Sequence, residues 1–154
     1  MLFTPHILTG AAIGSQIPSF GVVFVLSIIS HFCLDLFPHW QYTEGEAFKD
    51  KLGKRFVVEA LRVAMDTAFV FALLFFFFDS KPDFKYMIFG GLIAVMPDIL
   101  LFVSWKINLK ILKKISHFHE ETVHLFGHEK SPNFQGLFWQ ILFSLIAFSV
   151  ILFL

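Results

Sequence analysis

The chain has one cysteine and no net charge. One cysteine, Cys33, occurs among its 154 residues, which excludes an internal disulfide and a cysteine-based zinc site. The net charge of zero gives no indication of a nucleic-acid partner. Because the sequence has no internal repeat and no low-complexity linker, we expect a single domain over residues 1–154. Any metal site in this chain must use histidine and carboxylate ligands.

Apolar residues, in contrast, are abundant. They make up 56% of the chain, and 23 residues are phenylalanine, which is more than one soluble core of this length could bury. The sequence therefore predicts an all-α, polytopic membrane bundle of about five spans, the first of them short or re-entrant. The predicted spans are Leu2–Ile17, Phe20–Phe37, Phe56–Phe78, Tyr86–Trp105 and Asn133–Leu154.

The first of these segments contains small residues at helical spacing. Gly10 and Gly14 form a face on which a second helix could pack closely. Such packing would hold His6 near the helix of His31. Pro5 suits the first turn of this segment, with Thr4 as its cap.

Lysine and arginine predict the orientation in the membrane. They are concentrated in the polar segments 40–55 and 106–132, whereas the other loops contain two lysines. By the positive-inside rule, the two basic segments are cytoplasmic. We therefore expect a multi-pass protein of a bacterial or archaeal inner membrane, with its N-terminus inside and its C-terminus outside. Lys110, Lys113 and Lys114 predict an interfacial amphipathic helix.

Potential metal ligands recur every fourth residue at the end of the second span: His31, Asp35 and His39. On a helix, His31 and Asp35 would share one face and could bind one zinc, manganese or iron ion. His39 would lie ~12 Å from His31 on a continuous helix. Because Pro38 should end the helix, His39 either folds back or serves a second ion. The alternative for all three is that they are ordinary polar residues at the membrane edge.

Two further acids lie inside predicted spans, where ionisable residues are costly and mark functional sites. Asp66 and Asp98 are both predicted ligands. Pro97 should leave a carbonyl group one turn earlier without its usual partner, so we expect a bend beside Asp98. Arg62, one turn from Asp66, either neutralises that acid or binds phosphate.

The polar segment after the fourth span contains four of the seven histidines. The residues that share a stripe at helical spacing are His117, Glu120, Glu121, His124 and His128. We expect His117 and His124 to complete the metal site, and Glu120, Glu121 or His119 to move protons. His119 and His124 are five residues apart, so they do not match the HExxH pattern of zinc proteases.

Three short motifs resemble the family of membrane-bound metal-dependent hydrolases, the LexA-binding inner-membrane hydrolase-like proteins. They are Thr4-Pro5-His6 followed by Gly10, the pair Pro97-Asp98, and Thr122-Val123-His124. The resemblance covers most of the chain through these scattered motifs. It implies a helical membrane protein with a histidine and aspartate metal site, related to zinc-dependent phospholipase C enzymes. It supports His6, Asp98 and His124 as ligands.

Together these features predict a metal-dependent hydrolase for a lipid or lipid-linked phosphoester, with its site near the cytoplasmic side. One or two divalent ions are expected, zinc first, with manganese and iron open. The predicted ligands are His6, His31, Asp35, His39, Asp66, Asp98, His117 and His124; the predicted catalytic residues are Arg62, His119, Glu120 and Glu121. The alternative is a divalent-metal carrier with the same ligands, which would need polar groups leading to both membrane faces.

Overall fold

The computed structural model describes residues 1–40, 54–106, 110–118 and 134–153. These residues form six α-helices, and no β-strand occurs among them. The helices are α1 (Phe3–Gln16), α2 (Phe20–Asp35), α3 (Lys54–Phe78), α4 (Phe84–Lys106), α5 (Lys110–Phe118) and α6 (Phe134–Phe153). The predicted all-α class is confirmed for this part of the chain.

Within the described part of the chain, three helices are long and apolar enough to cross a membrane: Val57–Phe78 within α3, Phe84–Leu101 within α4, and α6. The shorter helices α1 and α2 have 14 and 16 residues, fewer than the ~20 of a typical span. Large apolar side chains on α3 and α6 point outward, as a lipid environment requires; Phe69 and Leu145 are examples. The protein is therefore a membrane protein, and five spans remain a prediction.

The short helix α1 lies at the centre of the bundle, where it contacts α2, α3, α4 and α6. Its closest approach is to α4. A side chain at Gly10 would collide with the backbone carbonyl of Gly90, and one at Gly14 with that of Tyr86. The small-residue face predicted for this segment is confirmed, and the helix that packs on it is α4.

The N-terminus of α1 lies inside the bundle. Asp66 Oδ2 accepts hydrogen bonds from the amide groups of Phe3 and Thr4, at 3.0 and 3.1 Å. Gln140 Oε1 of α6 accepts one from Leu2, at 3.2 Å. Asp66 is ~18 Å along α3 from its first residue, so α1 begins beside the middle of that helix. Thr4 is therefore not the cap of α1, because side chains of α3 and α6 satisfy the free amide groups.

An apolar cluster fills the bundle from α1 toward the α3–α4 turn. Ile7, Leu74, Met87 and Ile151 are among its fully buried members. Beyond it, Lys81 in the turn donates a hydrogen bond from Nζ to the carbonyl oxygen of Ile151, at 2.6 Å. This cluster separates the polar groups around the start of α1 from the opposite end of the molecule.

Helix α5 is amphipathic, as predicted from its lysines. Lys110, Lys113 and Lys114 are exposed. Phe118 at its end approaches Phe32 of α2, with 5.9 Å between the ring centroids. The helix itself contacts α4, and its last residue lies near the part of α2 that carries His31.

Candidate metal centre

Helices α1, α2 and α4 bring three potential ligands together. One ligand atom from each of His6, His31 and Asp98 lies within 4.8 Å of the other two, so the group could hold a metal ion. The side chains of both histidines are fully buried, and that of Asp98 is 13% exposed. The two imidazole rings face each other with 4.3 Å between their centroids. Residues that are far apart in the sequence thus meet at one point below the surface.

Asp35 lies between the two histidines. Its Oδ1 is 3.3 Å from His6 Nε2, and its Oδ2 is 3.2 Å from His31 Nε2. His31 and Asp35 share one face of α2, as their spacing of four predicts. The nitrogen of Met1 also approaches Asp35 Oδ1, at 3.1 Å. The carboxylate therefore contacts both histidines, whereas the group whose ligand atoms all lie within 4.8 Å of one another consists of His6, His31 and Asp98.

The orientation of His31 is fixed from α4. Its Nδ1 donates a hydrogen bond to the carbonyl oxygen of Ala94, at 2.8 Å. Nε2 is then the nitrogen that faces Asp35 and Asp98, the latter at 3.7 Å. Metal-binding histidines commonly donate their second ring nitrogen to a carbonyl group in this way. Ala94 lies three residues before Pro97, whereas the carbonyl that Pro97 leaves without its helical partner is that of Ile93.

His39 approaches the group after the end of α2. The helix ends at Asp35, and Pro38 follows, as expected for a residue that cannot continue a helix. After Pro38, His39 Nε2 lies 3.9 Å from Asp35 Oδ1. His39 is not part of the group formed by His6, His31 and Asp98, so both alternatives for it stay predictions. Its Nδ1 is 2.7 Å from the carbonyl oxygen of Phe37, and its side chain is buried.

Asp66, also predicted as a ligand, is used differently in the structure. Its two oxygens accept hydrogen bonds from the start of α1, including one from the Thr4 hydroxyl. It lies outside the group formed by His6, His31 and Asp98. Because His6 is in the first turn of α1, Asp66 fixes the position of that ligand instead.

Arg62 pairs with an acid that the sequence reasoning did not consider. Its Nη1 donates to Glu59 Oε1, at 2.7 Å, within α3. The arginine side chain is 60% exposed, whereas that of Glu59 is 11% exposed. The structure therefore gives Arg62 a partner other than Asp66 and leaves most of its side chain accessible to a ligand.

The remaining predicted site residues lie elsewhere. His117 is exposed on α5 and is not part of the group formed by His6, His31 and Asp98. The four others fall outside the described residues, so their roles stay predictions. They are His119, Glu120, Glu121 and His124.

Sequence reasoning missed one buried polar residue of functional relevance, Gln140. It is 3% exposed in α6, where its Oε1 accepts from Leu2 and its Nε2 donates to the carbonyl of Gly136, at 3.3 Å. A single amide in an apolar span is costly, so its presence in the last span was the signal that could have identified it. Together with Asp66, it secures the helix that carries His6.

The donor set fits a divalent metal ion. Imidazole nitrogen and carboxylate oxygen are ligands of zinc, and two ligands of one tetrahedral zinc lie ~3.3 Å apart. Asp35 Oδ1 lies 3.3 Å from His6 Nε2 and Oδ2 lies 3.2 Å from His31 Nε2, distances that an ion pair and two ligands of one ion have in common. Neither ring nitrogen of His6 has a hydrogen-bond partner of good geometry among the described residues. A buried imidazole in that state is stabilised by a metal ion at one nitrogen.

No family model, curated protein or solved structure matches the chain. The resemblance of its short motifs to membrane-bound metal-dependent hydrolases therefore stays a prediction. The family of this protein is not assigned, and its function is inferred from the arrangement of His6, His31, Asp35 and Asp98 in a membrane protein.

Proposed function

We propose that the protein is a membrane-embedded, divalent-metal-dependent hydrolase that acts on a lipid or lipid-linked phosphoester. The observation that carries this proposal is the buried group of His6, His31 and Asp98 around Asp35. One or two ions bind there, zinc first and manganese or iron as alternatives. A bound divalent ion makes a water molecule nucleophilic near neutral pH and polarises a phosphoryl oxygen.

Metal binding, phosphate binding and proton transfer are assigned to different residues of the chain. His6, His31 and Asp98 hold the ion, with Asp35 as a further ligand, and Ala94 keeps His31 in position. The accessible guanidinium of Arg62 binds phosphate oxygens, for which its planar fork is suited. Proton transfer falls to His39, beside Asp35, or to residues of the segment after α5. Those residues are His119, Glu120 and Glu121.

The depth of the site favours a lipid substrate. Asp98 lies ~12 Å from the last residue of α4, and Gln140 ~9 Å from the first residue of α6. One leaflet contributes about half of a hydrocarbon core that is ~30 Å thick, so a site ~9–12 Å from these helix ends lies within one leaflet. The headgroup of a lipid in that leaflet is the nearest phosphoester. The distribution of lysine and arginine supports the prediction that this leaflet is the cytoplasmic one of an inner membrane.

A divalent-metal carrier would use the same ligands, but it needs a polar path to both membrane faces. The apolar cluster around Ile7, Leu74 and Met87 lies between the metal group and the α3–α4 turn. No polar path through it is seen among the described residues. This cluster favours the hydrolase over the carrier.

The proposal is tested by measuring phosphate or headgroup release from phospholipids and phosphatidic acid by the purified protein. We expect turnover that is lost with a chelator and restored by zinc, manganese or iron. Asp98→Asn should reduce turnover at least 100-fold, since it removes a charged ligand. Asp79→Asn is the matched control, because Asp79 is exposed in the α3–α4 turn. Equal turnover by the Asp98 variant and the wild type would contradict the proposal.

A further inference from the structure

An apolar groove of about 370 Å³ lies between α1 and α6, with Leu34 of α2 at its edge. Its lining is almost entirely apolar, and it is open toward the outside of the bundle. Ala12 of α1 and Ala147 of α6 are small, buried members of its lining, so little of the space is filled by their side chains. Such an apolar groove in a membrane protein is occupied by hydrocarbon rather than by water.

One end of the groove is next to the metal group. Thr9, Ile13 and Gln16 of its lining continue the face of α1 on which His6 lies, because they follow it at helical spacing. Thr9 is therefore about one helical turn, ~5 Å, from His6. On the α2 side, Leu34 directly precedes Asp35. The polar group and the apolar groove are thus neighbours on the same two helices.

The same end of the groove is bounded by aromatic rings. Phe143 of the lining packs against Phe37, with 5.0 Å between the ring centroids. From there the groove follows the helices for ~10 Å, from Thr9 to Gln16 along α1 and from Phe143 to Val150 along α6. Its long direction is therefore that of an acyl chain in a bilayer.

The lining of the groove selects its occupant. An extended peptide would leave its amide groups without partners against this apolar lining, at a cost of several kcal/mol each. A hydrocarbon chain carries no polar group that would need a partner there.

We propose that the groove between α1 and α6 binds one acyl chain of a phospholipid whose phosphate headgroup reaches the metal group. The position of the headgroup rests on the proposed hydrolase function, whereas the position of the chain rests on the groove alone. The substrate class is thereby narrowed to a phospholipid, with one chain held by the protein and the phosphoester next to His6 and Asp35.

The two isoleucines Ile146 and Ile141 of α6 give a matched pair of variants. They are 52% and 51% exposed, but only Ile146 lines the groove. Delipidated protein in detergent is titrated with dioleoyl phosphatidic acid, and bound lipid is counted by native mass spectrometry. We expect the wild type and Ile141→Trp to bind one lipid, and Ile146→Trp to bind at least fivefold more weakly with an unchanged unfolding temperature.

Equal binding by the two variants, or no lipid bound by the wild type, would overturn the groove proposal. Metal per chain is measured on the same samples, which separates this proposal from the proposed function. Lipid lost only in Ile146→Trp, in a protein that binds no metal, would support the groove and contradict the hydrolase. Metal bound by all three proteins, with lipid binding unaffected by Ile146→Trp, would contradict the groove proposal and leave the metal centre of the hydrolase supported.

Discussion

Asp35 is the residue on which the metal centre most depends. Its oxygens lie 3.3 Å from His6 Nε2 and 3.2 Å from His31 Nε2. Because His31 donates Nδ1–H to Ala94, its Nε2 faces two carboxylates, Asp35 and Asp98, in buried surroundings. A proton or a metal ion at His31 Nε2 would stabilise this arrangement, since acceptors that face one another without a cation are destabilised. The other oxygen of Asp35 is already approached by the nitrogen of Met1, at 3.1 Å.

Asp66 accepts three hydrogen bonds from the start of α1, while its predicted role as a metal ligand stays a prediction. Asp66→Ala removes the acceptor for the amide groups of Phe3 and Thr4 and for the Thr4 hydroxyl. Loss of a helix cap costs ~0.5–2 kcal/mol, and a buried donor without a partner ~1–3 kcal/mol. We therefore expect the free energy of unfolding to fall by at least ~2 kcal/mol, measured by denaturant titration in detergent micelles.

Asp66→Asn should recover part of that loss, because its amide oxygen still accepts a hydrogen bond from the start of α1. The control is Thr67→Ala, next in the chain, whose hydroxyl bonds only within α3, to Val63 at 2.8 Å. We expect a change of less than ~1 kcal/mol there. If Asp66→Ala were no worse than Thr67→Ala, Asp66 would not hold α1.

The part of the site that lies on α2 could be predicted from the sequence. A spacing of four puts His31 and Asp35 on one face, and Pro38 ends their helix; both are properties of nearby residues. The use of Asp66 and Gln140 by the start of α1 could not be predicted in this way. Those contacts join residues far apart in the chain, and hydropathy does not specify which helices are neighbours.

Among the helices, α1 has the unusual role. It is too short to be a typical span, begins beside the middle of α3, and is held against α4 by direct contact of backbones. Short helices that start at membrane depth commonly line binding sites, because their free amide groups need polar partners there. The position of His6 at its start follows from this arrangement.

The contact between α1 and α4 gives a prediction for Gly10→Ala. The added methyl group would meet the carbonyl group of Gly90, so the helices must separate. Overpacking of this kind costs ~1–3 kcal/mol, and we expect a correspondingly lower unfolding temperature in detergent. Metal affinity should fall as well, since α1 carries His6 and α4 carries Asp98.

Gly21→Ala is the control for that experiment. Gly21 lies in α2, where an added methyl group would meet nothing within 4 Å. Because alanine favours the helix over glycine by up to ~1 kcal/mol, its stability should be unchanged or slightly increased. Equal losses in the two variants would mean that α1 and α4 are not in close contact.

The sequence predicted that glycines 10 and 14 would form a helix-packing face, but not which helix packs there. Gly90 carries the matching signal in α4, since small residues on both helices permit close approach. Periodicity alone does not pair two such faces among several apolar helices. The number of spans is equally unspecified by hydropathy, because α1 and α2 are apolar yet short.

For the whole molecule, the distribution of basic residues predicts which face of the membrane the metal group approaches. In a Cys33→Ala background, Ser80→Cys in the α3–α4 turn should react with an impermeant maleimide added to spheroplasts. Lys110→Cys at the start of α5 should react only after permeabilisation. The opposite pattern would place the metal group on the outer side.

Metal content is the measurement that tests the metal centre most directly. We expect elemental analysis of the purified protein to give one or two equivalents of zinc, manganese or iron per chain. Asp35→Ala should lose them while remaining folded, whereas Asp79→Asn, in the exposed turn, should retain them. No metal in the wild type after supplementation with all three ions would contradict the metal centre and the hydrolase proposed from it.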